Sequence, residues 1–235
     1  MIKDNKFLQG NNKFQFYGRK SGRKLSLRKI NLINNLLPKV GLFNLCTEKE
    51  KLDHFFSRDF KKYYLEIGFG DGSFLNRLAS KCKSSGILGS EVYKNGIANL
   101  LGLIEKNKLD NVLLWPNDVR FLIPKLPKNK FSRIYILFPD PWPKKKHSER
   151  RIINGQMIDN LYNLLEKNGK LIMATDHDVA RIWILSKILM TKNFLWIFNK
   201  KEYWYIKKSI LNKTKFMKKA EKNKRKITWF IFKKI

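Results

Sequence analysis

YYLEIGFGDGS, residues 63–73, joins a short apolar run to a glycine-rich turn. The apolar run is typical of a buried strand. Glycine at positions 68, 70 and 72 lets the backbone pass close to a ligand without Cβ clashes. Ser73 stands where the dinucleotide fingerprint G-x-G-x-x-G has its third glycine. The segment therefore predicts a strand and a ligand-binding turn, but not a pyrophosphate cradle.

Strand-like runs recur downstream, with helical windows between them. The later runs are GILGSEV (86–92), NVLLWPND (111–118), RIYILFPD (133–140) and GKLIMATD (169–176). The windows 92–109 and 150–168 have apolar residues at three- and four-residue spacings, which is the helical period. Strand–helix alternation predicts an α/β fold, a doubly wound, mostly parallel sheet with helices on both faces.

The last two strand-like runs, FLWIFN (194–199) and ITWFIF (227–232), flank a lysine-rich loop without an obvious helix. Strands joined in this way pair more easily antiparallel than parallel. With the five earlier runs they predict a seven-stranded sheet whose C-terminal strand is antiparallel.

One acid stands at the end of each of the first five runs. Parallel strands end at the same edge of a sheet, so we expect these side chains to gather where such folds bind ligands. The five acids are Glu66, Glu91, Asp118, Asp140 and Asp176.

The positions of these acids indicate a ligand that is both a nucleoside and a cation. Glu91, after the second strand, can accept hydrogen bonds from ribose hydroxyls, and Asp118 can accept from an adenine amino group. Glu66 would repel a phosphate and attract a positive centre. An adenosine with a positive centre near Glu66 and Asp140 describes S-adenosylmethionine, whose sulfonium is a fixed cation.

FPDPWPKKKHSERR, residues 138–151, places one acid and one aromatic ring beside a cationic strip. Pro139 and Pro141 restrict the backbone around Asp140. Trp142 can stack on a base. The lysines and arginines that follow can neutralise phosphates. The stretch predicts chemistry on a nucleic-acid base.

Four motifs together resemble the bacterial tRNA (guanine-N7-)-methyltransferase family: EIGFGDG, GSEVY, FPDPWPKKKHSERR and ATDHD, in this order. GRKSGR resembles the family's basic N-terminal segment. The resemblance implies a Rossmann-like methyltransferase fold and methyl transfer from S-adenosylmethionine to N7 of guanine 46, in the variable loop of tRNA. FPDPW followed by the basic strip is the most specific of these motifs.

The resemblance also implies roles for individual residues. Asp140 would be the active-site acid. Cofactor contacts would come from Glu66, Gly68, Gly70, Glu91, Asp118 and Asp140. Substrate contacts would come from Lys144, Asp176, Thr214, Lys215, Phe216 and Met217. RNA contacts would come from Lys146, His147, Ser148, Glu149, Arg150 and Arg151. Met217 stands where the family has glutamate, and Lys146 where arginine is usual.

Composition agrees with a polyanionic partner. The 235 residues include 50 Lys and Arg against 19 Asp and Glu, a net charge of +31. Such an excess favours nucleic acid or an acidic membrane surface. The apolar run 181–198 is interrupted by three cations and predicts no membrane span. Cys46 and Cys82 form neither a disulfide framework nor a zinc pattern, and no histidine pair has metal-ligand spacing.

We expect two regions and a cytoplasmic location. Residues 1–58 would be a basic N-terminal extension, partly disordered and RNA-contacting, in which 17–29 orders only on a partner. Residues 59–235 would be the methyltransferase domain. The sequence does not distinguish a monomer from a homodimer.

Two other functions stay open on the residues alone. PDPWP has some likeness to the D-P-P-[YFW] motif of enzymes that methylate an exocyclic amino group of adenine or cytosine. The chain could also be an RNA-binding protein on the same fold without catalysis. Identification of the methylated nucleoside and cofactor binding without RNA separate these alternatives.

Overall fold

The fold is taken from a computed structural model of the chain, which describes residues 15–45, 52–197 and 214–235. The strands are β1 (Lys62–Ile67), β2 (Ser85–Ser90), β3 (Val112–Trp115), β4 (Phe131–Leu137), β5 (Leu165–Thr175), β6 (Phe194–Trp196) and β7 (Thr228–Lys234). The helices are α1 (Leu27–Asn35), α2 (Leu37–Val40), α3 (Ser73–Lys81), α4 (Lys94–Asn107), α5 (Val119–Leu122), α6 (Gly155–Leu164), α7 (Asp178–Leu189) and α8 (Lys215–Lys222). Short 3-10 helices cover Leu52–Phe55, Ile123–Lys125 and Lys145–Arg150.

The strands form one seven-stranded sheet in the order β3-β2-β1-β4-β5-β7-β6. The pairs β2–β3 and β4–β5 are parallel, whereas β7 runs antiparallel to both β5 and β6. The predicted α/β fold with an antiparallel C-terminal strand is confirmed.

Two sequence-based boundaries differ from the structure. The helix expected over 150–168 is confined to Gly155–Leu164 because Asn154 caps its first turn and Leu165 pairs with Phe131 of β4. The loop expected between the last two strands contains α8 in its described part. Thr214 caps that helix by accepting a hydrogen bond from the Met217 amide at 3.0 Å.

By internal contacts the chain divides into two units, residues 1–61 with 66–127 and residues 62–65 with 128–235. In the first unit, α3 and α4 pack together, and α3 contacts β2. α1 packs against α4 and buries Leu32 and Ile33. The buried centre of this unit includes Leu75, Ile87, Leu88, Leu100, Leu101 and Leu114.

The N-terminal segment, residues 17–29, is attached to the start of α4 in this unit. The amide of Gly22 donates to Asn95 Oδ1 at 2.8 Å, and Asn95 Nδ2 donates to the carbonyl of Arg23 at 2.7 Å. The amide of Lys94 donates to the carbonyl of Lys20 at 2.9 Å. These contacts place the segment beside α4, while its ordering on a partner and its RNA contact stay predictions.

The second unit is built on β4, β5 and β7, with α6 and α7 packed on β5. The long apolar run of β4 and the C-terminal half of β5 (171–175) are buried, as their near-continuous hydrophobic sequences predict. Fully buried side chains here include Ile134, Leu161, Leu171, Met173, Phe230 and Phe232.

Among the described residues, no helix is long and apolar enough to cross a membrane.

Candidate active site

The glycine turn of the first unit has a backbone conformation that glycine adopts more readily than other residues. Gly68, Gly70 and Gly72 have φ of 72°, 58° and 74°, the left-handed region that favours glycine. Gly68 donates its amide to the carbonyl of Ser90 at 2.8 Å. A Cβ added at Gly68 would meet no described atom within 4 Å, so this glycine borders open space that a ligand can enter.

Gly96, in the first turn of α4, fixes the position of this turn from the other side. A Cβ at Gly96 would overlap the carbonyl oxygen of Gly70, and backbone cannot yield as a flexible side chain can. Only glycine therefore allows α4 to approach the turn this closely.

We expect Gly96→Ala to lower the free energy of unfolding by about 1–3 kcal/mol, the usual cost of overpacking a filled site. Gly102→Ala in the same helix is the matched control, because the added Cβ would lie 3.6 Å from Leu32, an ordinary contact. That control should be neutral or gain up to about 1 kcal/mol of helix propensity. Urea unfolding of both variants measures the difference; equal stabilities would contradict the close approach.

Glu66 is a buried acid without a partner on one oxygen. Glu66 is 2% exposed, and its Oε2 has no hydrogen-bond partner among the described residues. Burial raises its pKa well above the ordinary value, Glu91 and Asp71 raise it further, and Arg77 opposes them. A buried carboxylate of this kind is expensive unless a cation meets it. The geometry fits a ligand that brings an ammonium or similar positive group to Oε2.

Glu91 follows β2 and fastens the glycine turn. Its Oε2 accepts from the Gly70 amide at 2.6 Å, and its Oε1 accepts from the amides of Val92 and Tyr93 at 2.7 and 3.0 Å. The ribose contact expected of Glu91 stays a prediction.

Asp118 follows β3 and is held by Arg120. Three N–H donors of Arg120 reach its carboxylate: the amide and Nε at 2.9 and 3.0 Å, and Nη2 at 2.6 Å. The side chain also caps α5. Each carboxylate oxygen accepts two of these hydrogen bonds, and the expected contact with an adenine amino group stays a prediction.

In the second unit, the segment after β4 carries Asp140 on an irregular turn. Phe138 and Trp142 have φ of 54° and 39°, which is uncommon for residues other than glycine. Asp140 is exposed, yet the surrounding protein desolvates its carboxylate and raises its pKa. Strain and a perturbed acid in one turn are typical of functional sites.

Residues 144–151, the basic strip, fold back over Trp142. The guanidinium of Arg150 lies 5.1 Å from the centroid of the Trp142 ring, and His147 meets the same ring edge-on at 5.8 Å. The pKa of His147 is lowered, first by desolvation and then by Arg150, Lys146 and Lys144. Lys144, Lys146 and Glu149 are exposed. The carbonyl of Ser148 accepts a hydrogen bond from the Arg151 amide at 3.1 Å.

The predicted substrate residues of the second unit lie at β5 and α8. Asp176 follows β5 and accepts a hydrogen bond from Arg225 at 3.2 Å. Phe216, half exposed, stacks on Phe138 with ring centroids 6.0 Å apart, so α8 adjoins the turn that carries Asp140. Lys215 is exposed. Met217 is only 8% exposed, so this side chain packs inside rather than facing solvent.

Three arginines interact with the acids of these sites or with the turn that carries one of them, and these interactions were not predicted from the sequence. Arg77 influences Glu66 from α3, Arg120 holds Asp118, and Arg151 is buried beneath the Asp140 turn. The spacing Asp-x-Arg at 118–120 was a usable signal for one of them. Nothing in the sequence indicated the other two, because their partners are distant in the chain or are backbone carbonyls.

No group of three or more metal-binding side chains occurs within the described residues. Cys82 is a free thiol, and Cys46 lies outside the described residues.

Known proteins similar to this chain are methyltransferases. Residues 61–230 match the model of a family described as "Putative methyltransferase". The tRNA (guanine-N(7)-)-methyltransferase of Rhodospirillum rubrum is 34% identical over 223 residues, covering 94% of this chain and 88% of that protein. The enzyme of the same name from Paramagnetospirillum magneticum is 38% identical over 172 residues, 72% of each chain.

Solved structures support the fold. An antibiotic-related methyltransferase aligns with a TM-score of 0.52 at 17% identity, over 75% of this chain and 89% of that one. SMU.1697c from Streptococcus mutans, solved in complex with SAH, aligns with a TM-score of 0.52 at 10% identity, over 75% of this chain and 90% of that one. At these identities the likeness concerns the fold alone.

Proposed function

Because the chain belongs to the tRNA (guanine-N(7)-)-methyltransferase family, we propose that it transfers a methyl group from S-adenosylmethionine to N7 of a guanine in tRNA. Guanine 46 of the variable loop is the proposed target, and the cytoplasm, where tRNA is modified, is the proposed location. The observation that carries the proposal is the buried Glu66 carboxylate, whose Oε2 has no hydrogen-bond partner among the described residues and calls for a cationic ligand.

S-adenosylmethionine, when bound, supplies an activated methyl group on a positively charged sulfur. Glu66 binds the ammonium of its amino acid part. Gly68, which has no side chain, leaves room for the cofactor to approach the backbone of the turn. Glu91 accepts from a ribose hydroxyl, and Asp118 accepts from the adenine amino group. Gly70 contributes through Glu91, to which its amide is hydrogen-bonded at 2.6 Å.

Asp140 is the proposed catalytic residue. N7 of guanine has a free lone pair, so no base is needed to expose it. Positive charge builds on the purine as N7 acquires the methyl group, and a fixed carboxylate beside the ring stabilises that charge. Desolvation by the surrounding protein raises the pKa of Asp140, but the group must be ionised to act. Activity should therefore fall as pH decreases through that raised pKa.

Residues around Asp140 are proposed to hold the tRNA. Lys144 donates to O6 of the target guanine. The motif Thr214 to Met217 adjoins the turn through the stacked rings of Phe216 and Phe138, which supports a role beside the base. Asp176 is the proposed further substrate contact. The exposed cations of the basic strip meet phosphates, with His147, Ser148 and Glu149 beside them.

The N-terminal segment is proposed to contribute a second set of phosphate contacts. Four of its exposed cations are Arg19, Lys20, Arg23 and Lys24. Replacing all four by Gln should lower the slope of log affinity against log salt by up to about 3–4, at about 0.7–0.9 per phosphate contact. Filter binding of tRNA between 50 and 200 mM salt measures the slope.

Four exposed lysines at the far ends of α3 and α4 provide the control for this change: Lys81, Lys83, Lys106 and Lys108. Their replacement by Gln removes the same charge and should leave the slope nearly unchanged. Equal slopes for the two quadruple variants would show that only net charge matters.

The decisive experiment is nucleoside identification. The protein is incubated with S-adenosylmethionine carrying a labelled methyl group and an unmodified tRNA transcript, and the RNA is then digested. We expect label in 7-methylguanosine, and its loss from a transcript with adenine at position 46. Label in an N6 or N4 adduct would indicate an amino-methyltransferase. Cofactor binding with no label would indicate a non-catalytic RNA-binding protein.

A further inference from the structure

The turn that carries Asp140 has an unusual need for support. Its residues Phe138 and Trp142 lie in the left-handed region, with φ of 54° and 39°. Such a conformation is strained for residues other than glycine and persists only where the surroundings hold it. Pro139, Pro141 and Pro143 have no amide hydrogen, so the segment must be attached largely through its carbonyl oxygens.

Arg151 supplies that attachment. Its Nε donates to the carbonyl of Pro141 at 3.1 Å, and its Nη2 donates to the carbonyl of Trp142 at 2.9 Å. The two bonds grip the residues directly after Asp140. A planar guanidinium can donate in two directions at once, whereas a lysine ammonium offers no such fork.

The guanidinium is itself held in place. Arg151 is 8% exposed, and its guanidinium carbon lies 4.2 Å from the centroid of the Trp183 ring in α7. The Trp183 Nε1 donates to the carbonyl of Ile153 at 2.6 Å, which fixes the ring. A buried guanidinium that already donates to two carbonyls is poorly placed to bind a phosphate of the RNA. Its contacts therefore differ from the RNA contact that the resemblance implied, and the partly exposed Arg150 is better suited to that role.

We propose that Arg151 is a positioning residue for methyl transfer: it holds the strained Pro141–Trp142 backbone so that Asp140 stays in its productive place. This inference rests on the proposed function. A small displacement of a preorganised group lowers the rate of the chemical step strongly. Loss of the two Arg151 hydrogen bonds should therefore lower kcat and leave tRNA affinity unchanged.

Arg151→Met tests the inference, since methionine fills much of the volume without donating a hydrogen bond. We expect kcat to fall about 10- to 30-fold, with the dissociation constants for S-adenosylmethionine and tRNA within about 3-fold and the salt slope unchanged. Arg151→Lys, which keeps the charge, should recover part of the loss in kcat. Arg150→Met is the contrast: it should weaken tRNA binding and lower the salt slope by about 0.7–0.9.

An unchanged kcat in Arg151→Met would overturn the proposal, and so would a weaker tRNA affinity with a lower salt slope, which would mark a phosphate contact. If the methionine variant lacks a cooperative unfolding transition, Arg151→Lys decides alone, and wild-type kcat in that variant overturns the proposal. A wild-type protein that forms no 7-methylguanosine would instead refute the proposed function, before any Arg151 variant is compared.

Discussion

Asp140→Asn is expected to lower kcat about 10²- to 10³-fold, the usual cost of removing one preorganised group that stabilises transition-state charge. Asparagine keeps the shape of the side chain but removes its negative charge. The affinity for S-adenosylmethionine should stay within about 3-fold, because the lost interaction strengthens only as charge reaches the purine. Single-turnover methylation at saturating tRNA, with cofactor binding measured by calorimetry, separates these quantities.

The pH profile gives an independent test of the same residue. Desolvation raises the pKa of Asp140, so the acid limb of the wild-type profile should lie above the ordinary aspartate value of about 4. The variant should lack that limb, since asparagine does not titrate. Asp159→Asn, an exposed acid on α6, is the matched control and should keep both kcat and the limb. Equal single-turnover rates for wild type and Asp140→Asn would refute the catalytic assignment.

Glu66→Gln is expected to weaken S-adenosylmethionine binding about 10- to 150-fold, the equivalent of about 1.5–3 kcal/mol for a hydrogen bond to a charged group. The buried carboxylate has no hydrogen-bond partner on Oε2 among the described residues, so a cationic ligand relieves a burial cost that the free protein carries. Gln keeps the volume and removes the charge. Isothermal titration calorimetry measures the change.

The same substitution should stabilise the ligand-free protein. Burial raises the pKa of Glu66, so the folded state holds its proton more tightly than the unfolded state does. Stability from this group is present below the unfolded pKa and is lost as pH rises through the folded pKa. The advantage of Glu66→Gln in free energy of unfolding should therefore be small in acid and should grow with pH.

Glu105→Gln provides the control for both measurements. Glu105 is half exposed and pairs with Arg28 at 3.3 Å, an interaction worth at most about 1 kcal/mol at the surface. Its replacement should change neither cofactor affinity nor the pH dependence of stability. If Glu66→Gln behaved in the same way, Glu66 would not be the binding site for a positive group.

The sequence by itself determined the strand order along the chain, the antiparallel C-terminal pair and the kind of residue at each strand end. These features are local: an apolar run, a glycine turn and an acid can be recognised from neighbouring residues. The glycine turn is the clearest case, since all three of its glycines have positive φ, a conformation that favours glycine. Helix limits were less accurate, because strand pairing between Leu165 and Phe131 ended α6 early.

Only the tertiary structure decided how each acid is used. Glu91 and Asp118 are largely occupied by N–H groups of the chain, whereas Glu66 Oε2 has none among the described residues. Arg151 is one arginine of a cationic strip in the sequence, yet its burial and its two carbonyl partners set it apart. Burial and hydrogen-bond partners depend on atoms brought together from distant parts of the chain, so no local pattern reports them.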